Sequence, residues 1–426
     1  MEAELAILAL LVAGYALMAD RLARFSVGPA FVFLVIGIVL SEDVLGRISI
    51  EPEAEPIKLL AEATLTLLLF ADASTIRVRA LQKDARPVAL LLVVGLLLTI
   101  ALGTAGALLL FPGVSVGIAL LIGASLAPTD AALGQAVVTD AAVPARVRRL
   151  LSVESGLNDG IATPIVFFAL ALATADASGG SGWLSEAFLD LSVGIVVGVV
   201  MGAVGGWLLV LADRHRWTSS VSRQLFVLAL AGACYLLAVT AGGNGFIAAF
   251  IGGLAFGRAT RHEEAGAVRF TESQGSLLAI GVWAAFGLAL AGNFLTHLGD
   301  PAAVVYAVLS LTVIRIVPVG IALVRERFQP LTILFMGWFG PRGLASIVFL
   351  VIALEGLDHA GVPTGPLPAA IGWTVLLSVV LHGLTARPLA ARYGRRMASL
   401  PPGAPELEDA TEPGPTRQWW TGTEQG

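Results

Sequence analysis

The chain has 426 residues, of which 57% are hydrophobic and 13% charged, with a formal net charge of −5. An average soluble domain carries about 25% charged residues, so this composition excludes a soluble multi-domain protein and describes a polytopic helical membrane protein. The one cysteine, Cys234, lies inside an apolar run; it excludes an internal disulfide and a thiolate metal site, and reads as a small core residue.

Apolar segments predict about thirteen spans, at roughly 4–19, 27–40, 57–72, 88–111, 115–138, 150–173, 186–211, 223–241, 244–257, 272–292, 302–323, 331–354 and 366–386. The first follows Glu2 and Glu4 and lacks a basic stretch before it, so it reads as a span and not as a cleaved signal. Of the 26 Lys and Arg residues, 22 fall in alternate loops or the C-terminal tail. The opposite loops hold only Arg47 and Lys58, while Arg315 and Arg342 fall inside spans. Positive loops stay cytoplasmic, which predicts an outside N-terminus and a cytoplasmic C-terminus. Residues 394–426, rich in Pro, Gly, Glu and Thr, are expected to form a disordered cytoplasmic tail, in which Trp419 and Trp420 either touch the membrane interface or have no role.

Thirteen spans suggest two halves of six around a central one. The fifth span contains Ala127-Pro128-Thr129-Asp130 and the twelfth Phe339-Gly340-Pro341-Arg342-Gly343, both helix breakers deep in apolar sequence. Five and twelve occupy matching places in the two halves. Paired interrupted spans point to a transport site built from inverted repeats, because unwound backbone at that depth must face protein or water.

The sixth span opens with Leu151-Ser152-Val153-Glu154-Ser155-Gly156-Leu157-Asn158-Asp159. On a helix, Glu154 and Asn158 are four apart, as are Ser155 and Asp159, so the four share one broad face. Each ionisable group at mid-bilayer costs about 2.5–3.5 kcal/mol on insertion scales, so a functional reason is expected. The face offers hard oxygen donors and a protonatable acid, which suit a small monovalent cation or a proton. Asp159 is the expected ion carrier; a cation and a proton competing for one carboxylate constitute an exchange mechanism. Freed carbonyls at the fifth-span break can ligate the cation, with Thr129 the expected donor of one, and Ser155 can add a hydroxyl oxygen. Asn158 either ligates or ties the broken span to this helix. Asp130 either joins the site or, the favoured reading, caps the half-helix that follows it, where a negative charge meets the positive dipole end. Glu154 needs a cationic partner, and mid-span Arg315 is the better candidate. Arg342 either answers a half-helix C-terminus or lines a cytoplasmic funnel. Glu272 sits at a funnel mouth or simply at the interface, and Glu62 and Asp72 lean toward structure. The five histidines show no metal-ligand spacing, and no phosphate-cradling Gly-rich loop argues for ATP. The glycines at Gly242, Gly243, Gly252 and Gly253 read as close helix packing.

Ala127–Ala131, Glu154–Gly160, Gly245–Phe250 and Gly340–Gly343 together resemble the monovalent cation:proton antiporter-1 family, over about residues 5–390. The resemblance implies an all-helical fold with two inverted six-helix repeats and two broken, crossing helices. It implies a homodimer, with a membrane domain over 1–393 made of a transport bundle (about 88–173 and 302–390) and interface helices (about 1–72 and 183–292). It further implies that Asp159 carries the ion, that Thr129, Ser155 and Glu154 complete its shell, that Asn158 holds the crossing helix, and that Arg315 pairs with Glu154. Asn before the Asp resembles electroneutral members exchanging one cation per proton. The expectation is therefore a multi-pass inner-membrane antiporter of Na⁺, and also Li⁺, for H⁺, with K⁺/H⁺ exchange as the alternative and a cation channel as a more distant one. Its partners would be small monovalent cations, membrane lipid and a second copy, with no nucleic acid and no cofactor.

Overall fold

A computed structural model describes residues 2–23, 25–42, 44–45, 55–76, 84–178, 182–291, 300–401 and 403–408. Each of the predicted segments is helical. The first three are α1 (Glu2–Ala23), α2 (Pro29–Leu40) and α3 (Glu55–Thr75). The fourth joins α4 (Ala85–Ala89), a π-helical stretch Leu90–Gly95 and α5 (Leu96–Leu110). The fifth is split into α6 (Val116–Ser125) and the short α7 (Gln135–Val138), and the sixth is the long α8 (Ala145–Ser178). The next four are α9 (Trp183–Arg214), α10 (Ser220–Thr240), α11 (Gly245–Ala259) and α12 (Ala265–Ala289). The eleventh is interrupted at Thr312 into α13 (Pro301–Leu311) and α14 (Val313–Leu323). The twelfth is split into α15 (Pro330–Trp338) and α16 (Leu344–His359), and α17 (Leu367–Met397) closes the series. Seven helical stretches among the described residues are by themselves long and apolar enough to cross a membrane.

The helices sort by packing into two groups. In one, α2, α3, α9, α10, α11 and α12 lie against one another; in the other, α5, α6, α8 and α13–α17 do. The first group is bound by small residues. Along α9, Gly194, Gly198 and Gly202 recur every four residues and face Asn244, Ala248 and Gly252 of α11. A methyl group on Gly194 would come within 2.7 Å of Asn244 O, and one on Gly198 within 2.6 Å of Ala248 O, so only glycine permits this approach. Gly252 also abuts Cys234, which is buried as a core residue. Between the groups the contacts are fewer and mostly apolar. The ring of Phe250 on α11 covers Gly160 on α8, and Phe246 stacks near Phe167 with centroids 5.8 Å apart.

The expected disorder from residue 394 is corrected for residues 394–401 and 403–408. Helix α17 runs on to Met397, and after a turn Pro405–Leu407 form a short 3₁₀ segment docked on the second group. Glu406, 1% exposed, accepts from the Gln329 backbone N–H at 2.6 Å and from Thr332 Oγ1 at 2.9 Å, at the N-terminus of α15. Arg146 at the start of α8 donates to Pro405 O at 2.6 Å and pairs with Asp84 and Glu408, while its guanidinium lies 5.1 Å from the Phe328 ring centroid. Composition pointed to disorder, but one buried carboxylate on a helix N-terminus overrides it. Residues 409–426, with Trp419 and Trp420, lie outside the described residues.

This docking is open to test. Glu406→Ala strands the Gln329 N–H and removes one partner of the Thr332 hydroxyl, which keeps the Tyr393 hydroxyl at 3.0 Å, and is expected to lower stability by about 1–3 kcal/mol. Glu408→Ala, removing a side chain 61% exposed, is expected to change it by well under about 1 kcal/mol. Thermal melts in detergent measure both; equal midpoints for the two variants would dismiss the docking.

Candidate functional site

The two interrupted spans cross near the middle of the second group, and each supplies what the other's interruption exposes. The Asp130 backbone N–H donates to Pro341 O at 2.8 Å, which joins the two breaks directly. Asp130 Oδ2 accepts from the Leu344 N–H at 3.0 Å, at the first turn of α16, and Oδ1 accepts from Ala132 N–H at 2.8 Å. In the opposite direction, Arg342 Nη1 donates to Ala127 O at 3.0 Å and to Pro128 O at 3.3 Å, the carbonyls that α6 leaves at its C-terminal end. Ser346 adds a bond to Ser125 O at 2.7 Å. A carboxylate thus meets the positive end of one half-helix and a guanidinium the negative end of another. Arg342 is fully buried, with its guanidinium on carbonyls just past the C-terminal end of α6. The expectation that Asp130 caps the half-helix following it is corrected: α7 has no side-chain cap, and the Asp130 carboxylate meets the first turn of α16 in the other broken span. Glycine is required here, because a Cβ on Gly343 would run into the Asp130 carboxylate and one on Gly340 into the Arg315 guanidinium.

Helix α8 passes the first break with its polar face inward. Glu154, Ser155, Asn158 and Asp159 are all buried, between 1% and 7% exposed. Thr129, at the break, has its hydroxyl 2.9 Å from Ser155 Oγ and accepts from Asn158 Nδ2 at 2.7 Å. Asn158 therefore ties the broken span to α8. Its Oδ1 is buried without a hydrogen-bond partner, leaving one hard oxygen beside the Thr129 and Ser155 hydroxyls. Glu154 Oε1 pairs with Arg315 Nη1 at 2.7 Å, both residues 2% exposed. Arg315 enters from α14, three residues past the interruption at Thr312. Asp159 lies one turn beyond Ser155, and its carbonyl accepts from Thr163 Oγ1 at 2.7 Å.

The structure thus brings together Thr129, Ser155 and Asn158, pairs Glu154 with Arg315, and gives Asp130 and Arg342 to the crossing. Glu62, Asp72 and Glu272 lie apart, partly buried on α3 and α12 in the first group. Ser378 and His382 of α17 also reach the second break, and the sequence reading passed them over; their one signal was a four-residue spacing on an apolar helix. Among the described residues no cluster of His, Cys, Asp and Glu suits a divalent metal. The donors present are a carboxylate, an amide oxygen and hydroxyls, the set for a hard monovalent ion.

Comparison with known proteins follows the same direction. The family model described as sodium/hydrogen exchanger, transmembrane, matches residues 7–392. The Na⁺/H⁺ antiporter ApNhaP of Aphanothece halophytica is 32% identical over 228 residues, 53% of this chain and 41% of that protein. The K⁺/H⁺ antiporter NhaP2 of Shewanella sp. strain ANA-3 is 26% identical over 425 residues, 96% of this chain and 70% of that protein. Against several such relatives the chain spans well under half the length, from 19% to 41%. Among solved structures, the sodium proton antiporter MjNhaP1 of Methanocaldococcus jannaschii superposes with a TM-score of 0.75 at 20% identity, covering 90% of this chain and 100% of that one, a likeness of fold.

The buried ion pair makes a specific prediction. Glu154→Ala or Arg315→Ala alone leaves an uncompensated buried charge and is expected to cost about 3–5 kcal/mol. The double variant Glu154→Leu/Arg315→Leu removes both charges and is expected to melt above either single variant. A double variant that melts below both would rule out the pair as the reason for the loss.

Proposed function

The chain belongs to the sodium/hydrogen exchanger family, and from that premise we propose that it exchanges Na⁺, and also Li⁺, for H⁺ across the cell inner membrane. The observation that carries the reading is the convergence of the Ser155 and Thr129 hydroxyls and the Asn158 side chain, all buried, within one helical turn of the buried Asp159 on α8. Asp159 carries the cargo. A cation held by its carboxylate displaces the proton, and a proton displaces the cation, so the site crosses loaded with one or the other. The charge of Glu154 is matched by Arg315, so that carboxylate shapes the shell and does not itself alternate. With one carboxylate exchanging, one cation moves per proton and the cycle is electroneutral.

Alternating access follows from the two-group packing. The group holding the broken spans serves as the moving bundle, and the glycine-packed group serves as the static part through which a second copy associates. Helix α1 fits that role: little of it is buried, and Leu10 and Leu17 are 73% and 89% exposed. The basic loops support an N-terminus outside and a C-terminus in the cytoplasm. K⁺/H⁺ exchange is the second reading. It is favoured by the match over 96% of this chain and 70% of a K⁺/H⁺ antiporter, and the same oxygen set serves either ion, with cavity size deciding between them.

Reconstituted vesicles with a preset pH gradient and a pH-sensitive dye test the proposal. Na⁺ is expected to dissipate the gradient with saturable kinetics, and valinomycin with K⁺ to leave the rate unchanged. Asp159→Asn is expected to abolish the response while the protein still folds; transport at the wild-type rate would overturn the assignment. A larger response to K⁺ than to Na⁺ or Li⁺ would select the second reading.

A further inference from the structure

The break of the twelfth span is held at both ends by α17. In an uninterrupted helix the N–H of residue 342 would donate to the carbonyl of residue 338. Here the Trp338 carbonyl accepts from the Gly340 N–H at 2.9 Å instead, and two side chains of α17 reach the two ends of the gap. The Arg342 backbone N–H donates to Ser378 Oγ at 2.7 Å. His382 Nε2 lies 2.8 Å from Trp338 O, while Nδ1 lies 2.9 Å from the Ser378 backbone carbonyl and 3.3 Å from Ser378 Oγ. Each ring nitrogen thus faces a carbonyl and donates to it when it bears a proton. The ring is buried and stacks on the Trp338 indole, centroids 5.2 Å apart, while Trp338 Nε1 donates to Thr385 Oγ1 at 3.0 Å. Ser378, His382 and Thr385 are spaced four and three apart, so one face of α17 grips both ends of the break.

The place of this grip in the fold gives it a consequence. The sixth and thirteenth spans are equivalent in the two halves, as are the fifth and twelfth. In the first half, the polar face of α8 holds the break through Ser155, Asn158 and Thr129. In the second half, the polar face of α17 does so through Ser378 and His382. The backbone they hold carries Arg342, whose guanidinium grips Ala127 O and Pro128 O, the two residues immediately before Thr129. We propose that His382 is a positioning residue for the cation site: with Ser378 it relays the hold of α17 to both ends of the break, fixes the reach of Arg342, and so sets where Thr129 stands. This rests on the antiport reading above.

Vesicle flux with Na⁺ as the driven ion tests it. His382→Leu keeps the bulk and removes both polar contacts; the apparent KM for Na⁺ is expected to rise about tenfold, the scale of one lost buried hydrogen bond, with kcat changed by no more than about twofold. His382→Gln, whose amide can donate to Trp338 O and accept from Ser378, is expected to restore KM. If His382→Leu does not fold, Ser378→Ala decides, with KM moving in the same direction. A lowered melting midpoint with wild-type KM in either folded variant would show a merely structural role and overturn the relay. Absence of Na⁺-driven flux in the wild type would overturn the antiport reading and the relay with it; wild-type flux with an unmoved KM in the variants would overturn the relay alone.

Discussion

A backbone amide or carbonyl released from its helix inside hydrocarbon has no water to turn to, and left unsatisfied it costs several kcal/mol. Two spans of this chain are interrupted at that depth, and the rest of the second helix group is arranged around closing the groups they release. The closure is reciprocal: Asp130 of the first break reaches the amide end of α16, and Arg342 of the second reaches the carbonyl end of α6. Neither interruption is complete without the other, so the crossing is one unit contributed by residues more than two hundred positions apart.

The central charges follow from this. Asp130 and Arg342 are matched by helix ends, and Glu154 and Arg315 by each other. These ties hold the backbone at Thr129 and the face of α8 in register, so that the Thr129 and Ser155 hydroxyls and the Asn158 side chain are fixed relative to one another. Such preorganisation lowers the cost of ordering ligands on binding. It also explains why Asn158 is divided, with its nitrogen tying down Thr129 and its oxygen left over.

Much of this was legible in the residues alone. Apolar length located the thirteen segments, and breakers seven spans apart located both crossings. The cost of a lone buried arginine paired Arg315 with Glu154. What escaped has a common physical cause: periodicity reveals which face of a helix is polar but not which distant segment meets it. Hence the sequence pointed Asp130 at the half-helix following it when its partner is α16, and counted five histidines without placing His382 at Trp338. The interruption at Thr312 has no Gly or Pro beside it, and the π-helical stretch has Gly95 only at its end. Composition misjudged residues 394–401 and 403–408 because the order at their end comes from Glu406 and Arg146, a few directed bonds that an average over the segment conceals.

The contact between α9 and α11 is made largely of backbone: glycines on one side, and the carbonyls of Asn244, Ala248 and Gly252 on the other. Glycine has no side-chain rotamers to lose, so that part of the entropy of docking is absent at these positions. The contact has correspondingly few torsions in which to store thermal motion. Heating should therefore loosen the side-chain-packed parts of the molecule first and leave this pair of helices as the last to slacken.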